Sequence, residues 1–154
     1  MGGRGGSSGM QKITISSSNI GSAGTYQAYR SGDVFDSPLG FVTFGMEKSQ
    51  SYLYSAGKNA SIDSYELDIR HPLVVKGDDF DDIHDKMCME YLGKSYRLGS
   101  TLEEKRSIMK DASDAISKAG YDAVIMDATD ALSGQHEYEI GVLNKSRSKV
   151  IRRK

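Results

Sequence analysis

Residues 100–126, STLEEKRSIMKDASDAISKAGYDAVIM, predict a complete helix followed directly by a buried strand. Ser100 or Thr101 with Glu103 or Glu104 forms a capping-box pattern, which marks the start of a helix. Apolar side chains then repeat at helical spacing until a glycine ends the helix. The closing letters YDAVIM are almost wholly apolar, which is typical of a strand buried on both faces. This stretch therefore predicts the centre of the core.

Strands dominate the chain on both sides of this stretch. Alternating or short apolar runs bounded by turn residues predict strands at 25–30, 41–44, 61–70, 73–75, 138–143 and 148–152. Further helices are predicted at 47–56 and 78–92. Because the helices fall irregularly between the strands, the pattern predicts an α+β fold with a largely antiparallel or mixed sheet.

Length and composition exclude several classes of protein. The 154 residues carry 20 Lys and Arg against 21 Asp and Glu, so bulk positive charge for binding nucleic acid is missing; the basic cluster is confined to residues 145–154. No apolar run of membrane-spanning length and no secretory leader pattern occurs, so we expect a cytoplasmic protein without membrane contact. A lone cysteine, Cys88, fits a reducing compartment and is predicted to be a buried apolar side chain.

Composition also divides the chain into two parts. Residues 1–24 are rich in Gly and Ser and are predicted to be a flexible tail, because such a segment buries too little surface to offset its ordering entropy. Residues 25–152 are predicted to form one domain with its own core.

Common catalytic motifs are absent from the sequence. There is no P-loop, no glycine fingerprint between a strand and a helix, no nucleophile elbow, and no His/Cys spacing suited to a metal. The acidic run 78–82 is interpreted as the first turn of a helix, where the helix dipole favours acids. His71 and His136 lie near predicted strand ends; either could be a site residue, and we interpret both as polar loop histidines.

Several short motifs, each unspecific by itself, occur together in an order that is typical of one protein family. They are Tyr29-Arg30, Phe41-Val-Thr43, Tyr54 on a predicted helix, LDIRHPLVV at 67–75, GYDAVI at 120–125 and EIGVLN at 139–144. In this order and at these distances the sequence resembles a small mono-ADP-ribosyltransferase of the arginine–serine/threonine–glutamate type, similar to toxin-like and phage-encoded members. The resemblance covers about residues 25–151.

The resemblance implies both a fold and an activity. The implied fold is a split antiparallel β-sandwich with peripheral helices and NAD in the cleft. NAD is the substrate, no metal takes part, nicotinamide is released, and ADP-ribose passes to a protein acceptor. The implied setting is a phage effector in the bacterial host cytoplasm, with neither nucleic acid nor membrane as a partner.

Site roles are likewise carried over from the resemblance. It assigns Arg30, with Tyr29 beside it, to the NAD phosphates and ribose, and Thr43 to hydrogen-bonded support of the site. Tyr54 would line the nicotinamide side, and Glu139 would be the catalytic glutamate, with Glu137 on the acceptor side.

The chemistry of the two glutamates suits these roles. Residues 137 and 139 of a strand point to one face, so both carboxylates would enter one cleft. A carboxylate beneath the ribose stabilises its oxocarbenium-like transition state, and a second carboxylate can act as a general base. Gln135 leaves a register two residues earlier open, in which the pair would be Gln135 and Glu137. We prefer Glu139 because Val-Leu-Asn follows it at the family spacing.

Two alternative functions remain open at this point. The same scaffold without turnover would be a binding or inhibitor protein. The same cleft with water as the acceptor would be an NAD glycohydrolase.

Overall fold

A computed structural model describes residues 12–13, 20–31, 34, 37–47 and 62–153. The strands are β1 (Lys12–Ile13), β2 (Gly24–Ser31), β3 (Phe41–Gly45), β4 (Ile62–Ile69), β5 (Pro72–Gly77), β6 (Ala123–Thr129), β7 (His136–Leu143) and β8 (Val150–Arg153). The α-helices of this part of the chain are α1 (Phe80–Leu92) and α2 (Leu102–Lys118), and short 3-10 helices span Tyr96–Leu98 and Asn144–Lys149. Within these ranges, neither α-helix is long and apolar enough to cross a lipid bilayer.

All eight strands belong to one mixed sheet. The order is β5-β6-β7-β3-β2-β4-β8, and β1 pairs with β2. The pairs β5–β6 and β1–β2 are parallel, and the other neighbouring strands are antiparallel. The α+β class with a mixed sheet is therefore confirmed.

The sheet is narrowest between β2 and β3. A single register pair, Tyr29 with Gly45, joins these two strands, whereas β2 and β4 pair along their whole length. The resemblance implied two separate sheets, but the ladder is continuous and thins to one pair at this point. The strands β5-β6-β7-β3 and β2-β4-β8 thus form two halves that meet at Tyr29 and Gly45.

The core lies on both sides of the sheet. We call one side the helix-covered face: Phe41, Val124 and Leu143 there pack in one cluster with α1 and α2 side chains such as Met87 and Ile116. The other side, the opposite face, carries a second cluster of sheet residues that includes Tyr26, Phe44, Tyr65, Ile125 and Ile140. Successive strand residues alternate between these faces, so a residue's number fixes its side of the sheet.

Both helices begin and end where the sequence predicts, within two residues. The carboxylate of Asp79 accepts from the backbone N–H of Asp82 at 2.7 Å and caps α1. Thr101 and Glu104 form a capping box at the start of α2. The acidic run 78–82 is therefore the start of a helix, as predicted.

The strand predicted at 73–75 begins one residue earlier, at a proline. Pro72 is the first residue of β5, which lies at the sheet edge and pairs in parallel with β6. Proline is tolerated at an edge because its missing N–H removes no internal ladder bond. The turn before β5 is held by buried Asp122, whose carboxylate accepts the N–H groups of Arg70 and His71 at 2.8 and 3.0 Å.

Some sequence predictions fall outside the described residues. These include residues 48–61, and with them most of the helix predicted at 47–56 and its Tyr54. Of the predicted tail at 1–24, the described part forms the short strand β1 and, from Gly24, the start of β2.

Candidate functional site

Two of the predicted site residues, Tyr29 and Glu139, lie in one row across the sheet with Gly45 between them. Tyr29 of β2 lies opposite Gly45 of β3, and Gly45 lies opposite Glu139 of β7. Residues directly opposite each other in antiparallel strands share a face, and alternation from Phe41 and Leu143 makes it the helix-covered face. Tyr29 and Glu139 are two strand spacings apart, roughly 10 Å. Gly45, which is itself buried, places no side chain in that interval.

Thr43 stands beside this row. It lies opposite Gly141, two residues along from the pair of Gly45 and Glu139, and so shares their face. The carbonyl of Thr43 accepts a hydrogen bond of 2.9 Å from Nη1 of Arg30. The β2–β3 ladder has one register pair, at Tyr29, so the guanidinium reaches across where the ladder ends.

Arg30 enters the site from the other side of the sheet. It follows Ala28 and Tyr26 on the opposite face and lies across from Asp63 of β4. The narrow joint between the sheet halves lets its long side chain reach the β3 backbone next to the row. Burial lowers the pKa of the Arg30 guanidinium, an effect that neighbouring Tyr65 opposes. An arginine remains a cation under such a shift.

Glu139 is a buried acidic residue on the helix-covered face. Its residue is 5% exposed. Along the same face the ring of Phe41 covers Gly141, so closely that a Cβ on Gly141 would lie 2.6 Å from Phe41 Cδ2. Charges act more strongly in such low-dielectric surroundings than in water. A charge on Glu139 would therefore act strongly on groups next to it.

The helix-covered face becomes open and polar next to this row. The main helix contacts are α1 with β5 and β6, and α2 with α1 and β7. On β2 and β4, Gln27, Ser64 and Glu66 occupy the same face and are exposed or partly exposed, while the opposite face there is buried. The row from Glu139 to Tyr29 therefore lies at a boundary on this face. The helices cover one side of the boundary, and the side chains on the other side are exposed or partly exposed.

Glu137 extends the site toward solvent. It lies two residues before Glu139 on β7, so it shares its face, and it is exposed. Tyr29, Thr43, Glu137 and Glu139 thus share the helix-covered face, whereas Arg30 starts from the opposite face and reaches the backbone carbonyl of Thr43. Tyr54, the remaining predicted site residue, lies outside the described residues.

A second polar cluster, which the sequence analysis missed, lies behind Glu137 and Glu139. Asp127 on β6 is 1% exposed, and its Oδ1 lies 2.7 Å from Nδ1 of His136 and 2.9 Å from Oγ1 of Thr129. The His136 ring stacks on Tyr138, with centroids 5.5 Å apart and planes 7° apart. Burial, followed by the charge of Asp127, raises the pKa of Tyr138. His136 was interpreted as a loop histidine, but it is the first residue of β7.

Cys88 is a buried thiol in the core between the two helices. Cys88 is fully buried with its Sγ 3.3 Å from Sδ of Met109, and burial raises the pKa of its thiol to about 11. The interpretation of Cys88 as a buried apolar side chain is therefore confirmed. In the parts of the chain that the structure covers, no three His, Cys, Asp or Glu side chains are grouped as a metal site would require.

Comparisons with known proteins give few matches. No protein-family model matches the chain, and no curated protein matches it significantly. One similar solved structure is the crystal structure of an anti-CRISPR protein: it shares 10% identity, the overlap covers 84% of this chain and 96% of that one, and the TM-score is 0.43. The function proposed below therefore rests on the residues of the candidate site.

Proposed function

We propose that the protein is an NAD-dependent mono-ADP-ribosyltransferase that modifies a protein acceptor and releases nicotinamide. The observation that supports the proposal concerns Arg30, Thr43 and Glu139: the Arg30 guanidinium donates to the backbone carbonyl of Thr43, and the side chains of Thr43 and Glu139 share one face of the sheet. These are a guanidinium, a hydroxyl and a carboxylate from three strands. They are the groups to which the resemblance assigns the NAD phosphates, the support of the site and the ribose.

Each group has a chemical task that fits its type. The guanidinium of Arg30 offers planar, permanently charged donors, which match a pyrophosphate better than a lysine would. Thr43 supplies a hydroxyl for hydrogen bonds to the ribose or to Glu139. Glu139 stabilises the positive charge that builds up on the ribose as the bond to nicotinamide breaks.

The transfer step balances with these residues alone. The bond between ribose C1′ and the pyridinium nitrogen breaks, and nicotinamide leaves with the bonding pair as a neutral molecule. The acceptor's nucleophilic atom forms the new bond to C1′ with its own lone pair. Its proton passes to the carboxylate of Glu137, which is exposed and on the same face as Glu139. Glu137 is therefore assigned to the acceptor and Glu139 to the ribose.

Incubation with NAD labelled in its adenylate phosphate, with and without bacterial lysate, tests the proposal. We expect label on an acceptor band and release of nicotinamide, with Glu139→Gln lowering both roughly 100- to 1000-fold. Glu103→Gln, the same change at an exposed position of α2, is the matched control and should leave both rates unchanged. Circular dichroism and the melting temperature of each variant show that it is folded.

The same experiment separates the alternatives. Nicotinamide release without a labelled band would identify an NAD glycohydrolase, in which water is the acceptor. Neither product from the folded wild-type protein would leave a binding or inhibitor protein and overturn the proposal. Glu137→Gln should abolish the labelled band while retaining nicotinamide release, because only the acceptor's proton transfer depends on it.

A further inference from the structure

The cluster of Asp127, Thr129, His136 and Tyr138 occupies the opposite face of the strand that carries the two glutamates. Asp127 lies across from Tyr138, and Thr129 lies across from His136, in the β6–β7 ladder. His136 and Tyr138 therefore alternate with Glu137 and Glu139 along four consecutive residues. Contacts that fix the side chains of His136 and Tyr138 therefore also fix the backbone from which Glu137 and Glu139 project.

The contacts within the cluster are of the kind that fix a side chain. The Asp127 side chain is 2% exposed, and the carboxylate meets an imidazole that is 38% exposed. Because a carboxylate only accepts, Nδ1 of His136 carries the proton toward it, and Thr129 Oγ1 donates to the same oxygen. A hydrogen bond to a charged group contributes more to stability than one between neutral groups. The stacked ring of Tyr138 adds a second restraint on the same strand.

We infer that Asp127 and His136 are positioning residues for Glu137 and Glu139. Their contact on the opposite face holds the first half of β7 against β6. This fixes the orientation of the two carboxylates on the helix-covered face, one toward the ribose and one toward the acceptor. This inference rests on the proposed function for its catalytic part. Its structural part, the anchoring of residues 136–139, can be measured without any activity.

Two histidine variants and one aspartate variant test the role of the contact. His136→Asn keeps an N–H near the position of Nδ1 and can still donate to Asp127, whereas the longer His136→Gln places its amide near Nε2 instead. Asp127→Asn removes the carboxylate. Asp114→Asn, at an exposed carboxylate of α2 paired with Lys110 at 3.2 Å, is the matched control.

The expected pattern is specific to positioning. In Asp127→Asn and His136→Gln, amide hydrogen exchange at 137–139 should rise roughly tenfold, while amides of 73–75 in the β5–β6 ladder stay unchanged. In the same variants kcat for nicotinamide release should fall roughly 10- to 100-fold with KM for NAD unchanged, because binding groups are intact and aim is lost. Rates are taken well below the melting temperature and per folded molecule. His136→Asn should retain most of both properties.

Other results would overturn the inference. Unchanged exchange at 137–139 in Asp127→Asn and His136→Gln would show that the contact does not anchor the strand. Equal losses in both histidine variants, with the loss of one limb of the pH–rate profile, would make His136 itself a group that touches the reacting atoms. If wild-type protein released no nicotinamide, the proposed function and the catalytic part would both fail, and exchange alone would still decide the anchoring.

Discussion

Arg30 donates from its guanidinium to the backbone carbonyl of Thr43, 2.9 Å away, across the narrow joint between β2 and β3. The arginine therefore has a structural partner in the β3 backbone as well as a proposed ligand. An Arg30→Ala variant alone would remove both the contact with β3 and the contact with the ligand. Two different substitutions are needed to separate these roles.

Arg30→Lys and Arg30→Ala provide that pair. Lysine can still donate to a carbonyl but lacks the planar fork, so we expect near-normal stability and a KM for NAD about tenfold higher. Alanine leaves the carbonyl without this donor, so the free energy of unfolding should also fall by about 1–3 kcal/mol. Urea unfolding and steady-state kinetics measure the two effects. An unchanged KM in Arg30→Lys would contradict the assignment of this residue to the pyrophosphate.

Gly141→Ala should destabilise the protein by overpacking. A Cβ at this position would lie 2.6 Å from Cδ2 of Phe41, so the ring must move. Overpacking in a core costs typically about 1–3 kcal/mol. The measurement is the free energy of unfolding in urea, made in a double-mutant cycle with Phe41→Leu. A positive coupling that relieves the loss is expected, and strictly additive effects would contradict the contact.

His84 should make the protein less stable in mild acid. Its ring lies edge-on to Phe41 at 5.9 Å and to Tyr96 at 6.2 Å, and burial lowers its pKa below 6.5, which Asp81 opposes only in part. Since the folded state disfavours the charged ring, stability is complete above the unfolded-state pKa and falls as the pH drops from about 6.5 toward the lowered value. His84→Leu should flatten the unfolding free energy between pH 7.5 and 5.5. His71→Gln, at an exposed histidine, should leave the slope as in wild type.

Cys88 should be unreactive in the folded protein. Its residue is 0% exposed and burial raises the pKa of its thiol to about 11, so little thiolate forms at pH 8. We expect no reaction with an aromatic disulfide reagent in native buffer and stoichiometric reaction in denaturant. At intermediate denaturant concentrations, the reaction rate would report how often the core between α1 and α2 opens. Rapid native labelling would contradict the described packing.

The parts of the fold that were predictable from sequence are those set by local contacts. The capping box at Thr101 and the apolar periodicity after it fix α2, and the apolar run after Gly120 fixes β6. The parallel pairing of β5 with β6 was not predictable, because it depends on which strand a distant segment meets. Asp122 shows the same limit: its carboxylate holds the amides of Arg70 and His71, about fifty positions away, and nothing local marks it.

The candidate site also combines features that were predictable from the sequence with features that depend on strand pairing. Alternation alone placed Glu137 and Glu139 on one face, but only the ladder shows that Gly45 separates Glu139 from Tyr29. The contact between Asp127 and His136 was missed because a histidine near a turn was interpreted in isolation. The signal was available: the acid and the histidine flank a turn whose Gly134 has φ +73, and hairpin strands bring such residues together.

The position of β7 between β6 and β3 has a consequence for the order of folding. Its pairing with β6 closes only the short turn at 130–135, whereas its pairing with β3 joins segments that are about one hundred positions apart in the sequence. Loop closure over so long a separation is slow, so we expect the hairpin to form first and the amino-terminal strands to dock later. The β6–β7 hairpin would then hold Glu137 and Glu139 before Arg30 has docked, and the candidate site would be complete only after the last docking step.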